Sequence, residues 1–161
     1  MSRISNHTET EGRRQALIEE VGRATQAYQR ATDGFDDAVG GILGLNPTDL
    51  RCLDWLTQGP MAAGELTDAI GLSTAATTTL LDRLEQKQFV RRQRDTDDRR
   101  RVIVMLTLDG ERRLRSLYGP LADRGGELLA RFSERELSRI RDFLVDATSV
   151  VESAEADLRG S

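Results

Sequence analysis

A mostly α fold with one small β-hairpin is predicted by three observations. Apolar residues recur at helical spacing through most of the 161-residue chain. Two short β-type segments, "FVRRQ" and "VIVMLT", interrupt that period near the middle. Heptad-like apolar stripes stand at both ends, around a compact centre.

The opening "MSRISNHTETEGRRQ" has no apolar signal core, and residues 1–12 are expected to form a frayed polar tail. The first stripe follows: Leu17, Val21, Ala24, Tyr28, Ala31, Phe35 and Ala38 fall on one helix face. Gly40, Gly41 and Gly44 are expected to break that helix, so residues 13–44 read as a helix and a linker.

A second helix lies in "NPTDLRCLDWLTQGP". Asn46 suits the N-cap, Pro47 the first helical position, and Asp49 the positive helix end. Leu50, Leu53 and Leu56 form its inward set, with Cys52 and Trp55 beside them. A short helix, Ala63 to Ile70, turns Leu66 and Ile70 inward and stops at Gly71, which tolerates a left-handed conformation. Ser73 caps the next helix, whose inward positions are Thr77, Leu80, Leu81 and Leu84. Its outer positions, Thr74, Ala75, Thr78 and Asp82, are small or polar.

The two β-type segments flank the Asp/Arg-rich loop and form the hairpin. A helix from about Leu108 to Phe132 follows, with Pro120 expected to bend it. Ser133 and Glu136 make a capping box for the last helix. Its stripe is Leu137, Ile140, Leu144, Ala147, Val151, Ala154 and Leu158.

Charge points to a partner. The chain is acidic overall, at −4, which gives no hint of nucleic acid. From Arg83 to Arg101, however, eight basic residues meet four acids, so this segment is +4 and the remainder −8. One cysteine and one histidine exclude a disulfide framework within one chain and an ordinary zinc site. The cysteine usage fits a reducing cytoplasm, and no apolar run is long enough for a transmembrane helix, so no membrane partner is expected. No Ser/His/Asp set, phosphate-cradling loop or placed carboxylate pair suggests catalysis; no enzyme activity, cofactor or metal is expected.

A helix, a tight turn with glycine, and a second helix with a small polar outer face form a helix-turn-helix pattern, to be weighed against an ordinary helical hairpin. Small outer residues admit close approach to a major groove, where threonine methyls touch thymine methyls and hydroxyls bond bases or phosphates. The basic hairpin beside it then serves as a wing, with arginine suited to a narrow minor groove. Its aspartates read as positioning groups, with Asp98 accepting a forked bond from one arginine while another is directed outward.

The stretch from "ELTDAIGLSTAATTTLLDRLEQKQFV" through "RRQRDTDDRRRVIVMLT" resembles the winged helix-turn-helix core of the MarR family of bacterial transcription regulators. The matching parts are Gly71, Leu72-Ser73, Asp82-Arg83-Leu84-Glu85, Phe89-Val90, Asp98-Arg99-Arg100 and Leu106-Thr107. "LGLNPTDLRCLDWL" resembles the family's second helix. The resemblance is strong from about Gly44 to Gly110; the flanking helices match in order and length. One departure stands out: Gln88 occupies the place where the family usually has glycine before the first strand.

The resemblance implies a winged helix-turn-helix domain at residues 45–107, flanked by dimerisation helices in 13–44 and 108–161. It implies a homodimeric, sequence-specific DNA-binding regulator, expected to be a repressor that a small aromatic or anionic effector releases from a pseudo-palindromic double-stranded operator. Arg100 becomes the minor-groove arginine, with Arg94, Arg99 and Arg101 beside it and Asp98 as organiser. Ser73, Thr74, Ala75, Thr78 and Thr79 become the groove-facing set, and Arg83 pairs with Asp98 or holds phosphate. Tyr28, Phe35, Cys52 and Trp55 are the candidate effector residues, against plain core packing for each. Two alternatives remain at this level: a thiol-based redox sensor using Cys52, and a helical interaction module that never binds DNA.

Overall fold

The computed structural model of the chain describes residues 2–96, 98 and 100–159. The backbone forms two compact units, residues 1–111 and 112–161.

The first unit begins with α1, Ser2–Leu43. The helix starts at Ser2, where a frayed tail over residues 1–12 was expected from composition. Once a helix is nucleated, extending it into polar residues costs little per residue. Gly40 and Gly41 also lie inside α1, contrary to their reading as breakers. Gly40 serves close packing instead. Its carbonyl accepts the Leu45 N–H at 2.8 Å, and a Cβ at Gly40 would sit 2.8 Å from the Leu45 carbonyl oxygen. The stop is Gly44, at φ +65°.

Next comes α2, Pro47–Thr57, with a complete capping box. Asn46 Oδ1 accepts the Asp49 N–H at 2.9 Å, and Asp49 Oδ2 accepts the Asn46 N–H at 3.0 Å. A strand that the sequence pattern does not reveal, β1, Met61–Ala62, leads into α3, Ala63–Ile70. Gly71 ends α3 in the left-handed region at φ 68°, and Ser73 caps α4, Thr74–Gln86. The expected hairpin is β2, Val90–Arg94, with β3, Val102–Leu106. Both β1 and β2 pair with β3 in antiparallel fashion, giving the order β1-β3-β2; Met61 faces Val104, and Arg92 faces Val104 from the other side.

The core of this unit lies between α2, α3, α4 and the sheet. Leu53, Leu56, Leu66, Ile70, Leu80, Leu81, Leu84, Phe89, Val90 and Val104 are all buried there. These are the inward positions that helical spacing selects, together with Val90 and Val104 of the strands and Phe89 at the corner that precedes β2. The helix-to-sheet corner after α4 needs φ 63° at Gln88, so the left-handed turn survives without its glycine. Thr107 closes the corner: its N–H reaches the Phe89 carbonyl at 2.9 Å, and its hydroxyl donates to the Gln88 carbonyl. Thr107 Oγ1 also caps α5, Leu108–Leu129, by accepting the Gly110 N–H at 2.9 Å. A Cβ at Gly110 would fall 2.4 Å from the Phe89 carbonyl oxygen, so only glycine fits this approach.

Most of α5 and all of α6, Glu134–Arg159, belong to the second unit. Pro120 lies inside α5, and the helix runs through it. Ser133 and Glu136 form the expected capping box on α6, with the Ser133 N–H donating to Glu136 Oε2 at 2.9 Å. The Ser133 hydroxyl and N–H hold the Glu136 carboxyl below its ordinary pKa. No residue of α6 is buried. Its apolar residues Phe143, Leu144, Val145, Val150 and Val151 are exposed, as are Leu17, Ile18 and Val21 of α1.

Candidate nucleic-acid interface

The site is built on α4 and the β2–β3 hairpin. Ser73 Oγ accepts the Ala76 N–H at 3.3 Å and sets where α4 starts. From that start, Thr74, Ala75, Thr78 and Thr79 come out on the exposed face, opposite Thr77, Leu80, Leu81 and Leu84. This division follows from the 3.6-residue period alone. The Thr78 hydroxyl donates to the Thr74 carbonyl at 2.9 Å, and the Thr79 hydroxyl to the Ala75 carbonyl at 3.1 Å.

Three ion pairs fasten the helix to its surroundings. Asp82 and Glu85 both grip Arg92 of β2, whose Nη2 lies 2.6 Å from each carboxylate. Arg92 Nε adds a bond to Glu85 at 3.0 Å, and its backbone N–H reaches the other Glu85 oxygen at 3.1 Å. Hydrogen bonds to Glu85 first, and to Asp82 second, hold the Arg92 guanidinium more firmly protonated. The wing strand is thereby fixed to the face of α4. Arg83, one position on, turns to Asp49 of α2. That hydrogen bond raises the Arg83 pKa. Lys87 Nζ donates to the Gly44 carbonyl, tying the end of α4 to the α1–α2 corner. The sequence motif Asp82-Arg83-Leu84-Glu85 is therefore a fastening: its acids hold the wing, its arginine holds α2, and Leu84 is buried.

One expectation changes here. Arg83 does not pair with Asp98; its partner is Asp49. Asp98 Oδ1 accepts the backbone N–H of Arg100 at 3.0 Å, and no described guanidinium forks onto it. Through that bond the aspartate shapes the loop backbone. Its carbonyl accepts the Arg101 N–H at 2.8 Å, and Asp95 N–H reaches the Arg101 carbonyl at 3.0 Å, closing the loop. Arg101 folds back to Glu65 of α3 at 2.7 Å. Among the described residues, the exposed side chains of Arg94 and Arg100 make no ion pair. Arg99 lies outside the described residues. An open groove of about 400 Å³ lies between α4 and the wing, lined by Ala63, Thr78, Leu81, Arg92, Gln93, Arg94 and Val102.

The proposed effector residues do not share an environment. Tyr28 is 71% exposed and Trp55 is exposed, while Phe35 is half-buried. Cys52 has no exposure and faces the core, so it lines no surface of the chain. Burial, aided by the nearby charge of Asp49, pushes its thiol pKa up to about 12, which removes the thiolate a redox sensor needs. Among the described residues no group of three His, Cys, Asp or Glu side chains is placed to hold a metal. No described helix is long and apolar enough to cross a membrane.

What sequence reasoning missed is the fastening role of Asp49, Glu65, Asp82, Glu85, Arg92 and Lys87. Asp49 carried one signal, its capping position; nothing local to the other five names their partners.

Residues 45–102 match the sequence model of the MarR family. Over 119 residues the chain is 40% identical to YcgE of Bacillus subtilis (strain 168), an uncharacterized HTH-type transcriptional regulator, covering 73% of this chain and 77% of that protein. The fold is similar to the crystal structure of the transcriptional regulator PA4135, at 25% identity and a TM-score of 0.57, covering 79% and 94% of the two chains. It is also similar to NadR, solved in complex with 4-hydroxyphenylacetate, at 20% identity and a TM-score of 0.59, covering 76% and 86%; at that identity the likeness concerns the fold alone.

Proposed function

The chain belongs to the MarR family and is a DNA-binding transcriptional regulator, and we propose that it represses as a homodimer that a small effector releases from its operator. One observation carries the reading. Arg94 and Arg100 are exposed, and make no ion pair among the described residues, on a hairpin that Arg92 locks to α4, beside the exposed Thr74, Ala75, Thr78 and Thr79. A helix for the major groove and cations for the flanking minor groove or phosphates are thus held as one body. Ser73 and Thr74, at the helix start, suit phosphate oxygens. Arg101 and Arg83, each tied to a carboxylate, position the interface from behind.

A second copy of the chain supplies the symmetry. The exposed apolar residues of α1 and α6 form surface of the kind that marks protein interfaces. Two recognition helices related by a twofold axis meet half-sites about 34 Å apart, one helical turn, on a pseudo-palindromic operator. An effector acts by binding better to the dimer whose helix spacing misfits that operator. NadR was solved with an aromatic carboxylate, and we assign an aromatic or anionic effector here, with Tyr28, Phe35 and Trp55 as its candidate contacts. The buried Cys52 leaves that set and also argues against thiol sensing.

The test is a gel shift of the full chain on duplex DNA from upstream of its own gene, at two salt concentrations. Binding should weaken steeply with salt. Arg100→Ala should lower affinity at fixed salt and flatten the salt slope by about one ion, while the dimer stays folded. Unchanged affinity would remove the wing from the interface.

A further inference from the structure

The exposed face of α4 offers few of the groups that read base edges. Asp82 is held by Arg92 at 2.6 Å, and Arg83 is turned to Asp49. Gln86 sits on the last turn, away from the end that a recognition helix presents to bases. What remains at the centre is Thr78 and Thr79. Their hydroxyl hydrogens are already donated to the carbonyls of Thr74 and Ala75, at 2.9 and 3.1 Å. A β-branched side chain held this way has one χ1 rotamer. That leaves the γ-methyl and an oxygen that can only accept, so these side chains have no hydrogen to offer a base edge.

The geometry points to thymine methyls as what this helix reads: Thr78 and Thr79 are the specificity-determining residues, and they recognise thymine through methyl-to-methyl contact in the major groove. The C5-methyl of thymine is the apolar feature of that groove; the other base edges there present donors and acceptors. To donate to those edges, either threonine must give up its bond to the helix. Ser73 and Thr74 differ, because neither hydroxyl hydrogen is committed to the helix, and they take the phosphate contacts instead. This assignment rests on α4 being the helix that enters DNA.

The experiment begins with the full chain and a random-sequence duplex pool at fixed salt. In the recovered site, thymidines are replaced one at a time by deoxyuridine, which keeps the base pair and the minor-groove edge and removes only the methyl. Affinity should fall about fourfold for each methyl that the protein covers. Thr78→Ser keeps the hydroxyl and loses the methyl, so it should bind the thymidine and deoxyuridine forms of its position equally. Equal affinity of the unaltered chain for every thymidine and deoxyuridine pair overturns the inference and leaves DNA binding standing. So does a Thr78→Ser, Thr79→Ser chain that discriminates as the unaltered chain does. Recovery of no site at all removes the reading of α4, and the inference with it.

Discussion

Arg83 donates through Nε and Nη2 to Oδ1 of Asp49, a carboxylate 1% exposed and 34 residues earlier in the chain. The other oxygen of Asp49 accepts the Asn46 N–H at 3.0 Å, so one buried group closes the cap of α2 and anchors α4.

Arg83→Met should therefore destabilise the fold by about 2 kcal/mol. Removing one partner of a fully buried pair costs about 3–5 kcal/mol. The Arg83 side chain is 37% exposed, so water replaces part of what it supplies. The check is a fall in urea midpoint with an unchanged slope. Adding Asp49→Asn should recover part of the loss, because the uncompensated charge is then gone. A double variant no better than the single one would contradict this account.

Gln88→Gly should raise stability by about 0.5–1 kcal/mol. A side chain in the left-handed region costs about 1–2 kcal/mol, against which glycine loses about 0.5–1 kcal/mol of backbone freedom. Gln88 holds φ 63° because its flanks are fixed: its carbonyl accepts the Thr107 hydroxyl, and the next residue, Phe89, is fully buried. A lowered thermal midpoint would mean that the glutamine side chain contributes more than its backbone costs.

Thr77→Val should also stabilise, by about 1 kcal/mol. Thr77 Oγ1 is buried on the inner face of α4 without a hydrogen-bond partner. An unsatisfied hydroxyl loses its hydration for nothing, and valine has nearly the same shape. Thr77 lies on the face away from Thr78, so operator affinity should not move. Loss of stability would show that the hydroxyl finds a partner in solution.

Cys52 should be silent toward thiol reagents in the native protein at pH 8 and should react on unfolding. Burial raises its folded pKa to about 12 from an ordinary 9.0. The folded chain thus holds the proton more tightly than the unfolded chain. The linked stability is complete below about pH 9 and is lost as pH rises toward 12. Cys52→Ala should lack that part of the alkaline decline, visible as a shallower fall in urea midpoint above pH 9. Rapid labelling of the folded protein, or peroxide-triggered release from DNA, would revive a sensing role.

The sequence by itself determined what is local. Caps at Asn46, Ser73 and Ser133, the left-handed stop at Gly71, and the inward sets of α3 and α4 all depend on neighbours within one or two turns, whereas in α2 Asp49 and Cys52 are buried and Leu50, expected inward, is only half-buried. The family resemblance rested on the same stretch, because its motifs are these turns and caps. Tertiary structure alone decided which charges meet. Arg83 finds Asp49, Arg92 finds Asp82 and Glu85, and Arg101 finds Glu65, across gaps of 34, 10, 7 and 36 residues. An arginine's reach exceeds the spacing between packed elements, and several carboxylates compete for each one, so spacing along the chain cannot choose among them. The same limit hid β1, whose two residues are too few for a period and form a strand only because β3 offers a free edge. Gly40 likewise read as a breaker because its value lies in the approach of Leu45, a contact made only after the chain has turned back on α1.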